Sequence, residues 1–267
     1  MKFSIITVNY NNCEGLKRTI ASVTSQNYND FEFIVIDGGS TDGSLDVIHK
    51  NAHHIHFWVS EPDGGVYQGM NKGIQKATGD YLNFMNSGDC FFDETILGKI
   101  ASKGLEGDMI VGRDYHFNTS TKKGFSTILP QRISMLTFYL QSLPHQSTFF
   151  KKELFNNSLY DENLRLVSDL KFYIQKLCVE DCSINFIDDI ICRREPDGLS
   201  LSMNEQRLLE HKKVISQFLP IGAQKDYQSL SHLDKSTLYK LMQQCEHTKA
   251  RIWLTYCIKI INRLFIK

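Results

Sequence analysis

The chain has 267 residues, with 30 basic and 30 acidic side chains and a formal net charge of zero. That length can bury a full core in one large domain, or in one domain with an appendage, and the neutral balance argues against a nucleic-acid binder. Hydrophobic residues make up 42% and charged residues 22%, an ordinary globular mixture with no run of about 18 uncharged apolar residues to span a bilayer.

Residues 3–8 (Phe-Ser-Ile-Ile-Thr-Val) read as a buried, β-branched strand that Asn9-Tyr10-Asn11-Asn12 breaks into a loop. Residues 14–25 predict a helix with Leu16, Ile20 and Val23 on one face. Residues 31–36 form a second strand, followed by Asp37-Gly38-Gly39-Ser40-Thr41-Asp42-Gly43. Ser40, Thr41 and Asp42 are candidate caps for the next helix, which carries Leu45, Val47 and Ile48. Residues 55–59 are a third strand, and Ser60-Glu61-Pro62-Asp63-Gly64-Gly65 has too much Pro and Gly to continue it.

From 66 to 77 the spacing turns helical, with Val66, Met70, Ile74 and Ala77 on one face and Gly79 as the C-terminal stop. Residues 81–85 are a short buried strand that delivers Asn86-Ser87-Gly88-Asp89 to its C-terminal end, where open α/β sheets bind ligands. A β-α-β-α-β-α-β alternation over the first hundred residues implies a parallel, doubly wound half-domain. Right-handed crossovers then bring Tyr10, Asp37, Asp63 and Asp89 together from four loops at one edge.

In the second half, residues 108–112 predict a strand and 113–129 a hairpin around Lys122-Lys123-Gly124. Residues 144–150 form a turn and short strand, and 167–179 a helix with Asp169 in its first turn. Residues 184–192 are a further strand and 195–200 a loop, and from Asn204 onward the pattern is helical. Arg251, Lys259, Arg263 and Lys267 recur at multiples of four in a final apolar stretch. That pattern suits a helix lying in a membrane interface, or one packed on the core. The seven cysteines include no Cys-x-x-Cys pair, which argues against structural zinc and fits free thiols in a reducing compartment. The N-terminus shows no signal-peptide apolar region, so the expected location is cytoplasmic, with possible peripheral contact at the inner face of the plasma membrane.

The Gly-Gly-Ser-Thr-Asp-Gly loop is neither a dinucleotide fingerprint nor a Walker loop, and by itself it is only a strand-to-helix connection. The blocks taken together are more specific. Ile-Ile-Thr-Val-Asn-Tyr-Asn, Ile-Asp-Gly-Gly-Ser-Thr-Asp-Gly, Ser-Glu-Pro-Asp-Gly-Gly-Val-Tyr, Met-Asn-Lys-Gly-Ile and Phe-Met-Asn-Ser-Gly-Asp stand in order along the chain. With Pro-His-Gln-Ser-Thr-Phe-Phe and Ser168-Asp169 further on, the sequence resembles the family-2 glycosyltransferases. These are inverting enzymes of GT-A fold, here of the bacterial surface-polysaccharide type. The resemblance covers roughly residues 1–200.

It implies an α/β fold with a doubly wound, mostly parallel sheet: a nucleotide-binding half at 1–112, an acceptor-side half at 113–200, and a C-terminal helical appendage at 201–267. It also implies a nucleotide-sugar donor, such as a UDP-sugar, and a glycan or lipid-linked oligosaccharide acceptor. Thr7, Tyr10, Asp37 and Asp63 would surround the nucleoside, with Asp37 pairing a base imide and Tyr10 stacking on the base. Asn71, Lys72, Ser87 and Gly88 would lie along the donor, and Asp89 would hold Mn²⁺ or Mg²⁺ with the diphosphate. Gly88 stands where many members carry a second Asp. His145 and Gln146 would belong to the acceptor side, His145 as a hydrogen-bonded structural residue or a further ligand. Asp169 would be the general base that inversion requires on the face opposite the leaving group. The rival reading is a nucleotide-sugar-binding scaffold subunit without turnover.

Overall fold

The computed structural model describes residues 1–104, 106–118, 122–194 and 204–234. Strands β1 (Phe3–Asn9), β2 (Phe31–Asp37), β3 (Phe57–Ser60) and β4 (Tyr81–Phe84) alternate with helices α1 (Cys13–Thr24), α2 (Ser44–Asn51) and α3 (Val66–Lys76). They form a parallel array in the order β3-β2-β1-β4. Beyond β4 come β8 (Thr148–Lys151), β6 (Met109–Asn118), β9 (Ile184–Arg194) and β5 (Cys90–Phe91), with β7 (Lys123–Ser126) paired to β6 as a hairpin. β8, β5 and β7 run against the rest, so six of the nine strands share one direction. This is the mixed, mostly parallel α/β sheet that the sequence implies.

Strand alternation splits the apolar side chains between two faces. On one face Phe3, Ile5, Phe33 and Val35 pack with α1, α2 and α4 (Ile96–Ser102). On the other, Ile6 and Val8 meet α3, while Phe84 and Phe150 join Phe155, Tyr160 and Phe172 in an aromatic cluster. Phe172 belongs to α6 (Ser168–Ile174), which continues into a π-type turn at Gln175–Val179. α5 (Met135–Leu140) closes the same side, its Phe138 ring stacked on Tyr173.

α3 lies unusually close to the sheet because Gly69 and Gly73 face it. A Cβ added at Gly69 would stand 2.7 Å from Val8 Cγ1, and one at Gly73 would collide with Ile6. Overpacking of this kind costs about 1–3 kcal/mol. Gly79 has a role other than the expected helix stop. The helix already ends at Lys76, with Ala77 extended (φ −65°, ψ 137°), and a Cβ on Gly79 would lie 2.8 Å from the β1 backbone. The caps also differ from expectation: Gly43 (φ 92°) is the N-cap residue of α2. Asp42 instead accepts from Ser44 N–H at 3.1 Å and Cys13 N–H at 2.7 Å, which ties the starts of α1 and α2 together.

The chain divides into compact units Met1–Val214 and Ile215–Lys267, a boundary inside α7 (Asn204–Phe218). In the second unit α8 (Ile221–Asp234) begins where Gln224 N–H donates to Pro220 O at 3.1 Å. No described helix is long and apolar enough to cross a membrane. The expected loop at 195–200 and the cationic stripe of 249–267 lie outside the described residues.

Candidate active site

Parallel strands put the loops after β1, β2, β3 and β4 at one edge. Asp37 ends β2 fully buried. Its Oδ1 accepts from Asn9 Nδ2 at 2.7 Å and Ser40 Oγ at 2.6 Å, and its Oδ2 from Ser40 N–H at 2.9 Å and Ser60 Oγ at 2.6 Å. Both oxygens are therefore engaged in tying three strand ends together. Burial pushes its carboxyl up, but the bonds from Ser40, Ser60 and Asn9 outweigh this and hold it below the usual range.

Removing one charge here leaves several donors without a full acceptor, at a cost of about 1–3 kcal/mol. Asp37→Asn is expected to lose that much stability in urea denaturation and to weaken donor binding as the loops loosen. A variant as stable as the parent would remove Asp37 from the framework. A depressed carboxyl stabilises the fold above its unfolded pKa, and that contribution is lost as pH falls through the folded one.

Thr7 likewise serves the scaffold. It is buried, and its Oγ1 donates to Met85 O at 2.6 Å. Tyr10 is 66% exposed at the end of β1, which leaves its ring face open to stack on a planar base. Asp63 lies over Gly38, where a Cβ would stand 3.2 Å from either carboxylate oxygen. It accepts from Gly65 N–H at 2.9 Å, and burial pushes its pKa up against the opposing pull of that bond and of Lys72. Asp63 thus presents an acid at the edge where Asp37 does not.

α3 couples this loop to the second half of the chain. Lys72 Nζ pairs with Glu61 at 2.8 Å beside Asp63. Gln68 receives Gly64 N–H at 2.6 Å and donates to Glu162 at 3.0 Å. Asn71 is a buried clamp. It donates to Tyr160 O and Glu162 at 2.9 and 2.8 Å, and its Oδ1 accepts from Tyr160 N–H at 3.0 Å. Tyr67 reaches further, and its hydroxyl donates to Asp169 Oδ1 at 2.9 Å.

The loop after β4 is fastened to α1. Asn12 Nδ2 donates to Ser87 O at 3.0 Å, and Gly88 N–H donates to Thr19 Oγ1 at 3.0 Å. Gly88 has φ +103°, a conformation strained for any other residue, which gives a backbone reason for glycine at this position. Asp89 follows. Burial pushes its carboxyl up, with Arg194 and His145 opposing, and the Gln146 side chain hydrogen-bonds it. Gln146 thus contacts Asp89 directly. Arg194 Nε lies 3.6 Å from Asp89 Oδ1, and Arg194 Nη1 lies 3.5 Å from Asp114 Oδ2.

Among the described residues no group of three or more His, Cys, Asp or Glu could hold a metal ion by itself. A single half-buried carboxylate does fit Mn²⁺ or Mg²⁺ that takes its remaining ligands from substrate phosphates and water. Asp89 is the residue that would hold it.

At the far side of the site Asp169 opens α6. His145 Nδ1 lies 3.2 Å from Asp169 Oδ2, and Asn86 Nδ2 lies 3.4 Å from His145 Nε2. If the amide donates to Nε2, then Nδ1–H donates to the carboxylate, and the histidine bridges the β4 loop to α6. Burial pushes the Asp169 carboxyl up, but His145, Tyr67 and its neighbour's Leu170 N–H outweigh it, so it lies below the usual range. His145 is thus a hydrogen-bonded support.

Arg194, Asp114, Tyr67 and Asn86 carry the geometry but are not site candidates from the sequence. Tyr67 and Asn86 stood inside the quoted blocks. Arg194 and Asp114 meet only through the β6–β9 pairing, with its register shifts at Val111/Arg113 and Arg113/Asp114.

Residues 4–165 match the family model "Glycosyl transferase family 2". An uncharacterized glycosyltransferase of Mycobacterium tuberculosis is 32% identical over 201 residues, covering 73% of this chain and 76% of the relative. A PGL/p-HBAD biosynthesis glycosyltransferase of Mycobacterium bovis is 28% identical over 180 residues, covering 65% and 68%. Among solved structures, S. aureus TarS 1–349 in complex with UDP-GlcNAc superposes with a TM-score of 0.65 at 17% identity, covering 100% of this chain and 76% of that one. The mannosyltransferase PcManGT from Pyrobaculum calidifontis, in complex with GDP-Man and Mn²⁺, gives 0.62 at 13% identity, covering 100% and 88%. The sheet is that of GT-A glycosyltransferases, and with a match over more than half its length the chain belongs to glycosyl transferase family 2.

Proposed function

We propose that the protein transfers a hexose from a nucleotide-sugar, of the UDP-sugar class, to a glycan or lipid-linked oligosaccharide with inversion, in bacterial surface-polysaccharide assembly. The observation that carries this is Asp169. It is a half-buried acid kept ionised by His145, Tyr67 and Leu170 N–H, on a different element from the Asp89–Arg194 pair. Inversion needs that division: a base beside the acceptor hydroxyl and positive charge at the departing diphosphate. When bound at Asp89, Mn²⁺ or Mg²⁺ supplies Lewis-acid stabilisation of the leaving group. Tyr10 would stack on the base, Asp63 would take a polar edge of the nucleoside, and Lys72 would neutralise charge nearby.

Calorimetry against UDP-, GDP- and dTDP-sugars with Mn²⁺ tests the donor. UDP-sugars should bind most tightly, and the NMR coupling constant of the product's anomeric proton should report inversion. Retained anomeric configuration would overturn the role of Asp169. A scaffold without turnover is the second reading, supported by the lone acid at the metal position. It predicts donor binding with no release of nucleoside diphosphate on adding acceptor.

A further inference from the structure

Arg194 and Asp114 are unexplained by the roles above. Asp114 is 1% exposed and fixed on three sides: its Oδ1 accepts from Ser147 Oγ, its N–H donates to Thr127 Oγ1 at 2.9 Å, and Arg194 lies against Oδ2. It cannot turn to a ligand, but it can anchor a guanidinium. Asp89 is the more open of the two acids, with its side chain 17% exposed. The Arg194 contacts, at 3.6 and 3.5 Å, exceed the roughly 2.7–2.9 Å of a tight charge-assisted bond. A loose contact of this kind is easily exchanged. The local charge matters as well. Two carboxylates and one guanidinium sum to one negative charge, but the guanidinium lies against Asp89 itself, so a bare divalent ion there would sit beside a fixed cation. A divalent ion arriving with a sugar diphosphate brings no net charge, and its phosphate oxygens offer the guanidinium a replacement partner.

We propose that Arg194, anchored by Asp114, is a built-in counter-cation for Asp89 that makes divalent-cation binding conditional on the donor diphosphate. The diphosphate takes over the guanidinium as the metal takes over the carboxylate. This makes Arg194 a diphosphate-binding residue and Asp114 its positioning residue, and it rests on the reading that Asp89 holds the cation.

The test measures Mn²⁺ binding to the full chain by electron paramagnetic resonance, with and without UDP, after melting curves confirm folding. Couplings between ligands at one site are commonly about 5–150-fold. Arg194→Met should tighten Mn²⁺ binding without nucleotide by about ten-fold, while shrinking the gain that UDP gives by a similar factor. Asp114→Asn should act in the opposite sense. It leaves the guanidinium to Asp89 alone, so Mn²⁺ without nucleotide should bind more weakly than to the parent.

A merely structural ion pair would give losses in both variants, and unchanged or weaker Mn²⁺ binding in folded Arg194→Met overturns the proposal. If that variant does not fold, Arg194→Gln takes its place under the same criterion, and tighter or equal Mn²⁺ binding in Asp114→Asn overturns the proposal as well. Asp89→Asn separates the underlying reading, because UDP-dependent Mn²⁺ binding that survives this change means the cation sits elsewhere, whatever Arg194 does.

Discussion

Asp169→Asn is expected to lower transfer to acceptor by about 10²–10⁴-fold, the usual contribution of a positioned general base, while donor affinity stays near the parent value. The amide keeps the size of the side chain but cannot take the acceptor's proton at neutral pH. Donor affinity is spared because Asp169 contacts His145 and Tyr67 and none of the loops after β1, β2 or β3. The alternative acids nearby are already engaged. Asp161 pairs with Lys171 at 2.6 Å, and Glu162 accepts from Asn71 and Gln68 at 2.8 and 3.0 Å.

The pH profile gives a second readout. A carboxyl held below the usual range is ionised at neutral pH, so activity is lost only as pH falls through that depressed value. Tyr67→Phe removes one bond to the ionised form, so the acidic limb should move to higher pH. An unmoved limb together with a parental rate for Asp169→Asn would take the proton transfer away from this residue.

Much of this arrangement was legible because the relevant signals are local. The alternation of apolar strands with helical spacing gave four parallel strands, and right-handed crossovers gave the shared edge for Tyr10, Asp37, Asp63 and Asp89. What could not be read was which polar group faces the edge and which faces the scaffold. Asp37 and Asn71 look like ligand contacts in sequence, yet each is filled by protein partners, one by Ser40 and Ser60 and the other by Tyr160. Such choices depend on a hydroxyl 23 residues away and a backbone N–H 89 residues away, and no spacing rule carries them. Gly69 and Gly73 did carry a signal, as two small residues four apart on one helix face, but its meaning needed the partner strand. The Asp89–Arg194–Asp114 cluster was further out of reach. Its residues lie on three strands or loops, and the register shifts in β9 that align them leave no mark in hydropathy.

Asp89→Ala should cost about as much as the general-base change, though by a different route. A metal that stabilises a departing diphosphate contributes several kcal/mol, and each 1.36 kcal/mol is tenfold in rate, so transfer should fall by about 10²–10⁴-fold. Unlike Asp169→Asn, this variant should also bind UDP no more tightly with Mn²⁺ than without it. The protein offers little to compensate, since the adjoining residue is Gly88 and no other described acid or histidine completes a metal-binding group. Two features of the structure separate metal loss from simple disruption. The fold should survive, because Asp89's backbone contacts, its N–H to Asn86 O at 2.9 Å and its O to Thr19 Oγ1 at 2.7 Å, do not use the carboxylate. Arg194 should also keep one partner in Asp114, so the guanidinium is not stranded in a dry pocket. If folded Asp89→Ala keeps Mn²⁺-stimulated transfer, the cation is held by other groups. If it keeps transfer that Mn²⁺ no longer affects, the charge on the leaving diphosphate is met by Arg194 itself.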